Sequence, residues 1–286
     1  MTLFVNNLTH LDVSLWCPHR GLIGASWHVG VELDGQLGED GMLFDFGQVK
    51  PWVKSHLDSG PDHTLLVPLE APGLSVHDCS EGICIRTTTP YPMEVRGPRQ
   101  AFTLLPWKEV TPQRLADHYS TVLSRRPPPR VEAIRLELHD EAIEDAAFTY
   151  SHGLKHHEGN CQRIAHGHRS RLRIWAQGSR QPELESAWAE RLHDRYLVTE
   201  DDIADAGPPG PRGQLTIRYK AAQGQFQIRL PRERCIIMPT PTTVEHIAAW
   251  LSDGITSESE SEVRVQAFEG IGKGAFSGPR SVMANG

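Results

Sequence analysis

Val95–Tyr119 reads VRGPRQAFTLLPWKEVTPQRLADHY, and Ile228–Leu251 reads IRLPRERCIIMPTPTTVEHIAAWL. Each has Arg, one residue, then Pro-Arg, and a further Pro downstream: Arg96, Pro98, Arg99 and Pro106 against Arg229, Pro231, Arg232 and Pro239. Each runs into an amphipathic helix pattern. Leu115, Tyr119 and Val122 share one helical face; Val244, Ile247, Ala248 and Leu251 share the other. Both patterns have a start signal, Thr111-Pro112 in the first and Thr242 with Glu245 three residues on in the second. After each helix comes a turn-rich stretch and an alternating strand, VEAIRLEL from Val131 and EVRVQAF from Glu262. The chain therefore reads as a repeat.

Working outward, each copy reads strand, strand, helix, further strands, helix, last strand. In the first copy Trp27, Val29, Val31 and Leu33 alternate with polar residues. In FGQVKPWVKSHLD, Phe46, Val49, Val53 and Leu57 fall on one helical face, and Pro51 is expected in the first turn. The Pro-rich stretch Ser124–Arg130 is read as a loop inside the first copy, because the strand after it matches the last strand of the second. This predicts an α+β protein of two modules, residues 1–141 and 142–286, each an antiparallel sheet with two helices on one face.

Composition narrows the function classes. Of 286 residues, 38% are hydrophobic, which suits ordinary globular cores. A net charge of −7 gives no support for nucleic-acid binding. The first residues, MTLFVNNLTHLDVSLW, lack a signal-like pattern, and no apolar run approaches a membrane span. The five Cys are scattered and odd in number, as in a reduced cytoplasmic protein.

Fifteen His are unevenly placed, and the strongest chemical signal is Tyr150–Trp175, YSHGLKHHEGNCQRIAHGHRSRLRIW. His166 and His168 are two apart at the start of a strand pattern, so their side chains leave one face, with Leu172 and Ile174. His152 lies on the preceding strand pattern, where an antiparallel return brings it alongside. Three imidazoles with an open fourth position make a catalytic-type zinc site. His156 and His157 read as loop residues. Cys161 is the thiol near the cluster, and a neighbouring cation favours its thiolate. An alternative metal site from His10, His19 and His28 is a weaker reading.

A His on the first strand (His152), a Cys shortly before His-Gly-His (Cys161, His166, His168), Leu-Phe-Asp-Phe before a helix (Asp45-Phe46), an Asp-His pair after it (Asp62-His63) and a Glu on the last strand (Glu269) resemble 6-pyruvoyl-tetrahydropterin synthase and 6-carboxytetrahydropterin synthase. These are tunnelling-fold (T-fold) proteins. The resemblance implies a Zn²⁺-dependent lyase acting on 7,8-dihydroneopterin triphosphate, in a homo-oligomer with active sites at subunit interfaces. It implies His152, His166 and His168 as zinc ligands, Cys161 with Asp62 and His63 as catalytic groups, and Glu269 as the residue that holds the pterin ring. It leaves open the product, 6-carboxytetrahydropterin on the queuosine route or 6-pyruvoyl-tetrahydropterin.

Departures from the pattern divide the work between the copies. The first copy reads Ile23-Gly24-Ala25 where the second has His166-Gly167-His168, and its last-strand acid is Asp140 or Glu141. The second copy reverses the Asp-His pair to His193-Asp194. One composite site drawing on both copies uses every surviving part; the alternative has His193 and Asp194 serving their own copy. Lys155, Arg163, Arg169 and Lys273 are candidates for the triphosphate. A non-catalytic pterin or purine binder with structural zinc, and a zinc hydrolase using Glu158 as base, are the rival classes.

Overall fold

A computed structural model describes residues 1–208, 210 and 213–282. The elements run β1 (Thr2–Cys17), β2 (Gly21–Gly35), α1 (Phe46–Asp58), β3 (Leu65–Pro68), β4 (Leu74–Cys79), β5 (Gly82–Thr87), β6 (Met93–Gly97), β7 (Phe102–Leu105), α2 (Pro112–Ser124) and β8 (Val131–Asp140). They continue β9 (Ala147–His152), β10 (His166–Ala176), β11 (Ser179–Arg180), α3 (Pro182–Leu192), β12 (Arg195–Thr199), β13 (Ile203–Asp205), β14 (Gln214–Ala221), β15 (Gly224–Pro231), β16 (Cys235–Met238), α4 (Val244–Ser259), β17 (Val263–Phe268) and β18 (Gly274–Ser277). No helix among the described residues is long and apolar enough to cross a membrane.

The repeat is plain in the topology. One sheet has the order β7-β3-β1-β2-β8; a second has β16-β12-β9-β10-β17, extended by β18. In each, the long hairpin and the last strand are antiparallel, while the two short strands join in parallel. One face of each sheet packs on its helix pair. Leu11, Val13, Val29 and Val31 meet Val49, Val53, Leu115 and Tyr119; Phe148, Leu172 and Ile174 meet Trp188, Ile247 and Leu251. The fold is α+β, as the sequence pattern requires, but neither sheet is wholly antiparallel as expected, because β3 with β7 and β12 with β16 join in parallel.

Residues Leu11–Trp16 are buried on both faces, including Asp12 and Ser14, because the second copy covers the side the helices do not. Here the hairpins β1–β2 and β9–β10 cross. Ser14 Oγ donates to Ser151 Oγ at 2.7 Å. Ser14 faces Gly24 across its hairpin as Ser151 faces Gly167. A Cβ on Gly24 would overlap backbone atoms of Tyr150 and His168, and one on Gly167 would lie 2.8 Å from the Gly24 Cα. A second join is a six-stranded sheet, β13-β14-β15-β6-β5-β4. At its centre Gln227 pairs with Arg96, Ile228 with Val95 and Arg229 with Glu94. These pairs exchange matching positions of the repeat, the reciprocity expected of an approximate two-fold relation.

Three local expectations need correction. Phe46 is 61% exposed, so the buried face of α1 is Val49, Val53 and Leu57 alone. Pro51 sits one turn deeper in α1 than expected. It removes the bond to the Gly47 carbonyl; both residues are exposed, so water can take that carbonyl. Helix α4 is capped by Thr243, which accepts from the His246 N–H, and not by Thr242, which is drawn away to His152.

The crossing gives a stability test. Gly24→Ala and Gly167→Ala should each cost about 1–3 kcal/mol, as overpacking does. Gly30→Ala on the same strand β2 meets nothing nearer than 3.6 Å and should stay within ~1 kcal/mol, counting its β-propensity gain. Urea denaturation midpoints of the three variants measure this; equal effects at all three positions would count against the crossing.

Candidate metal centre

The centre grows from the β9–β10 register. His152 lies directly opposite His166, and Tyr150 opposite His168. The three imidazoles are at most 1% exposed, and one nitrogen from each lies within 4.8 Å of the others. His152 Nδ1 lies 3.0 Å from the Thr242 carbonyl, and His166 Nδ1 3.0 Å from the Arg163 carbonyl. A carbonyl only accepts, so Nδ1 carries the hydrogen in both rings and the lone pair is on Nε2. Both Nε2 atoms are buried, and neither has a partner among the described residues. Burial, helped by the mutual repulsion of the rings, holds both well below the usual histidine range and therefore neutral. Buried, neutral, oriented imidazoles with orphaned lone pairs fit a bound cation. Among the described residues this is the one His/Cys/Asp/Glu group spaced to hold an ion.

The third ring brings in the other copy. His168 Nδ1 lies 3.3 Å from Asp12 Oδ1, an ion-pair distance without hydrogen-bond alignment. Burial works to raise the Asp12 pKa, but the attraction of His168, with help from Lys273 and the Ser26 hydroxyl, outweighs it and keeps the carboxylate ionised. The Asp12 backbone is equally engaged: its N–H donates to Asp62 Oδ1 at 3.1 Å, and its carbonyl accepts from the His63 N–H at 2.8 Å. Asp12 was not among the expected site residues. Its signal is a lone acid inside the apolar run Leu11–Trp16, too buried to be there for solubility.

The same hub positions Asp62 and His63. His63 Nδ1 lies 2.6 Å from Asp62 Oδ2. Its ring centroid is 5.4 Å from that of His166 and 6.4 Å from that of His168. His63 adopts φ +54°, a region non-glycine residues rarely visit, held by the bond to the Asp12 carbonyl. Burial disfavours a charged His63 ring, yet hydrogen bonds to Asp62 and to the Cys161 sulfur outweigh it and push the pKa up to about 10.

Cys161 comes on the loop 153–165 between β9 and β10. That loop is pinned by Leu154 N–H to the Cys161 carbonyl at 2.9 Å and Tyr219 OH to the Gln162 carbonyl at 2.9 Å. It is tied to the first copy by Arg163 Nη1 to the Asp62 carbonyl at 3.1 Å. Glu269, at the end of β17, joins the group through Lys273, which lies 3.4 Å from its carboxylate and 3.8 Å from that of Asp12.

Other expected residues stand apart. His156, His157 and Glu158 are exposed on the loop. His193 and Asp194 are engaged by Arg20, with Arg20 Nη2 2.7 Å from Asp194 Oδ1. His10 and His28 meet edge to face at 5.2 Å, outside any ion-sized cluster. Lys155 is paired with Asp202, Arg163 is buried, and Arg169 donates to the Glu141 carbonyl, so these cations are already committed.

Asp12→Asn should weaken metal binding by about 10–100-fold, the usual effect of losing a carboxylate behind a ligand histidine. Chelator competition measures it without reference to turnover. An unchanged affinity would mean that Asp12 only packs.

The description 6-pyruvoyl tetrahydropterin synthase matches this chain twice, over residues 15–140 and 141–276. No curated protein matches the chain. Among solved structures, 6-pyruvoyltetrahydropterin synthase from Plasmodium vivax is 16% identical, over 50% of this chain and 93% of that one, with a TM-score of 0.42. The Plasmodium falciparum enzyme is 17% identical, over 49% and 91%, with a TM-score of 0.38. Both span about one copy of the repeat. With two matched segments filling most of its length, the chain belongs to the 6-pyruvoyl tetrahydropterin synthase family, as a tandem two-copy member.

Proposed function

We propose that the chain is a zinc-dependent pterin synthase. Its substrate is 7,8-dihydroneopterin triphosphate, and it either releases triphosphate alone to leave 6-pyruvoyl-tetrahydropterin, or releases triphosphate and the two outer side-chain carbons as acetaldehyde, with uptake of water, to leave 6-carboxytetrahydropterin. The observation that carries this reading is the meeting of three orphaned imidazoles from one copy with the His63–Asp62 pair of the other, beside Cys161. Family membership supports the chemistry, and the donor set supports the ion.

His152, His166 and His168 would hold Zn²⁺, which when bound supplies Lewis-acid polarisation of the substrate's side-chain oxygens. Cys161 Sγ takes the proton from the adjacent carbon as general base. His63, protonated at neutral pH by its raised pKa, starts as the proton donor, and Asp62 on Nδ1 keeps its ring oriented. Proton transfer between side chain and ring moves reducing equivalents within the substrate, so no nicotinamide is required. Glu269 accepts hydrogen bonds from the amino and N–H edge of the pterin, a two-point match for a carboxylate. The loop 153–165 and Asp12 keep these groups in place and exclude water.

In this reading the two copies meet near Glu141, and the first copy acts as the partner that completes the second copy's site. The unpaired outer edges of the sheets, at β7, β8, β16 and β18, are where further chains would add to form a homo-oligomer in the cytoplasm.

Cys161→Ala and His63→Gln should retain zinc, measured by elemental analysis, while turnover of 7,8-dihydroneopterin triphosphate falls by about 10²–10⁴-fold. His166→Ala should lose zinc and turnover together. Full activity of His63→Gln would remove the first copy from the chemistry. Absence of triphosphate release by the zinc-loaded wild type would overturn the function.

A further inference from the structure

The two-fold relation that builds the metal centre also generates its counterpart on the other side, and there the structure holds a cavity of about 390 Å³. Strand register fixes the correspondence. Leu15 faces Ile23 as His152 faces His166, and Val13 faces Ala25 as Tyr150 faces His168. Leu15, Ile23 and Ala25 therefore stand at the three ligand positions, and all three line the cavity. Val29 pairs with Leu138 as Leu172 pairs with Ala267, which puts Asp140 at the position of Glu269. Asp194 stands where His63 stands: both have positive φ, 56° and 54°, and the Asp194 N–H bonds the Thr149 carbonyl as the His63 N–H bonds that of Asp12.

What this cavity contains differs in kind from the metal centre. Three apolar side chains replace the imidazoles, so it has no place for an ion. Arg20 clamps Asp194 through Nε at 2.9 Å and Nη2 at 2.7 Å, leaving neither group free to carry protons as His63 does. Asp140 makes no ion pair or side-chain hydrogen bond among the described residues, and it lines the cavity with Trp27. Arg20 leaves Nη1 unengaged among the described residues, beside exposed His193. Three apolar side chains, the carboxylates of Asp140 and Glu109, and the Arg20 guanidinium with the His193 imidazole line the cavity together, a set that suits a flat heterocycle. Such a ring would give N–H groups to the acid and an anionic substituent to the Arg20 guanidinium.

We infer that this cavity is a second, metal-independent ligand site that takes a pterin bearing an acidic side chain, without converting it. The inference rests on the proposed function for its choice of ring; the cavity and its correspondence to the metal centre do not. Each chain then binds two pterins, one at the metal centre and one here, and the degenerate copy keeps recognition after losing chemistry.

Isothermal titration of the zinc-loaded full chain with 6-carboxypterin tests it. Two sites per chain are expected. Asp140→Ala, at an exposed position, should weaken one of them at least tenfold and leave turnover and the other site unchanged. Glu269→Ala should weaken the other, and Val110→Trp, which fills the cavity wall, should repeat the effect of Asp140→Ala. A single site lost in Glu269→Ala and indifferent to Asp140→Ala overturns the inference while leaving the proposed function intact. Two sites in a protein that does not turn over 7,8-dihydroneopterin triphosphate uphold the cavity and remove the catalytic reading. No binding at all overturns the inference.

Discussion

The structure depends on a crossing of two hairpins so close that only glycine fits. At Gly24 and Gly167 backbone meets backbone across the copies, and Ser14 and Ser151 close the gap with a hydrogen bond. A sheet face without side-chain bulk would ordinarily be a weakness, since it has little apolar area to bury. Here the lack of bulk lets the strands approach until Asp12 of one copy reaches His168 of the other. The composite centre is a consequence of that approach.

Proximity also explains why Asp12 has so many partners. One residue of β1 touches a metal-ligand candidate with its side chain, orients Asp62 with its N–H and holds His63 with its carbonyl. Burying a carboxylate is costly unless charge and hydrogen bonds compensate. Ser26 supplies part of that compensation from across Asp12's own hairpin, and His168 and Lys273, which belong to the second copy, come into reach only when the copies are docked. Folding of the second copy's site and docking of the first are thus physically linked.

Much of this was legible in the chain. Strand periodicity placed His166 and His168 on one face, and the repeat of Arg-x-Pro-Arg followed by a capped helix gave two modules of the same order. Local pattern failed where a tertiary partner outbid it. Thr242 reads as a helix cap, but its carbonyl and hydroxyl lie against His152, so the cap falls to Thr243. Phe46 fits the helical face by spacing, yet as the first residue of α1 it stays exposed while Val49, Val53 and Leu57 are buried. Asp12 was missed because its cross-copy partners, His168 and Lys273, lie more than 150 positions away, and no local spacing encodes them. The loop 153–165 showed its Gly and polar content, but not that Tyr196 and Tyr219 would anchor it from neighbouring strands.

The pairing of β6 with β15 makes the middle sheet continuous through both copies. In an association of separate subunits, a site shared between neighbours is emptied by dilution, because its parts drift apart as the complex dissociates. In this chain, Asp62 and His63 are joined to the triad by peptide bonds and an unbroken ladder. The shared centre therefore has no dissociation constant between those parts, and at vanishing concentration it remains whole for as long as the chain stays folded.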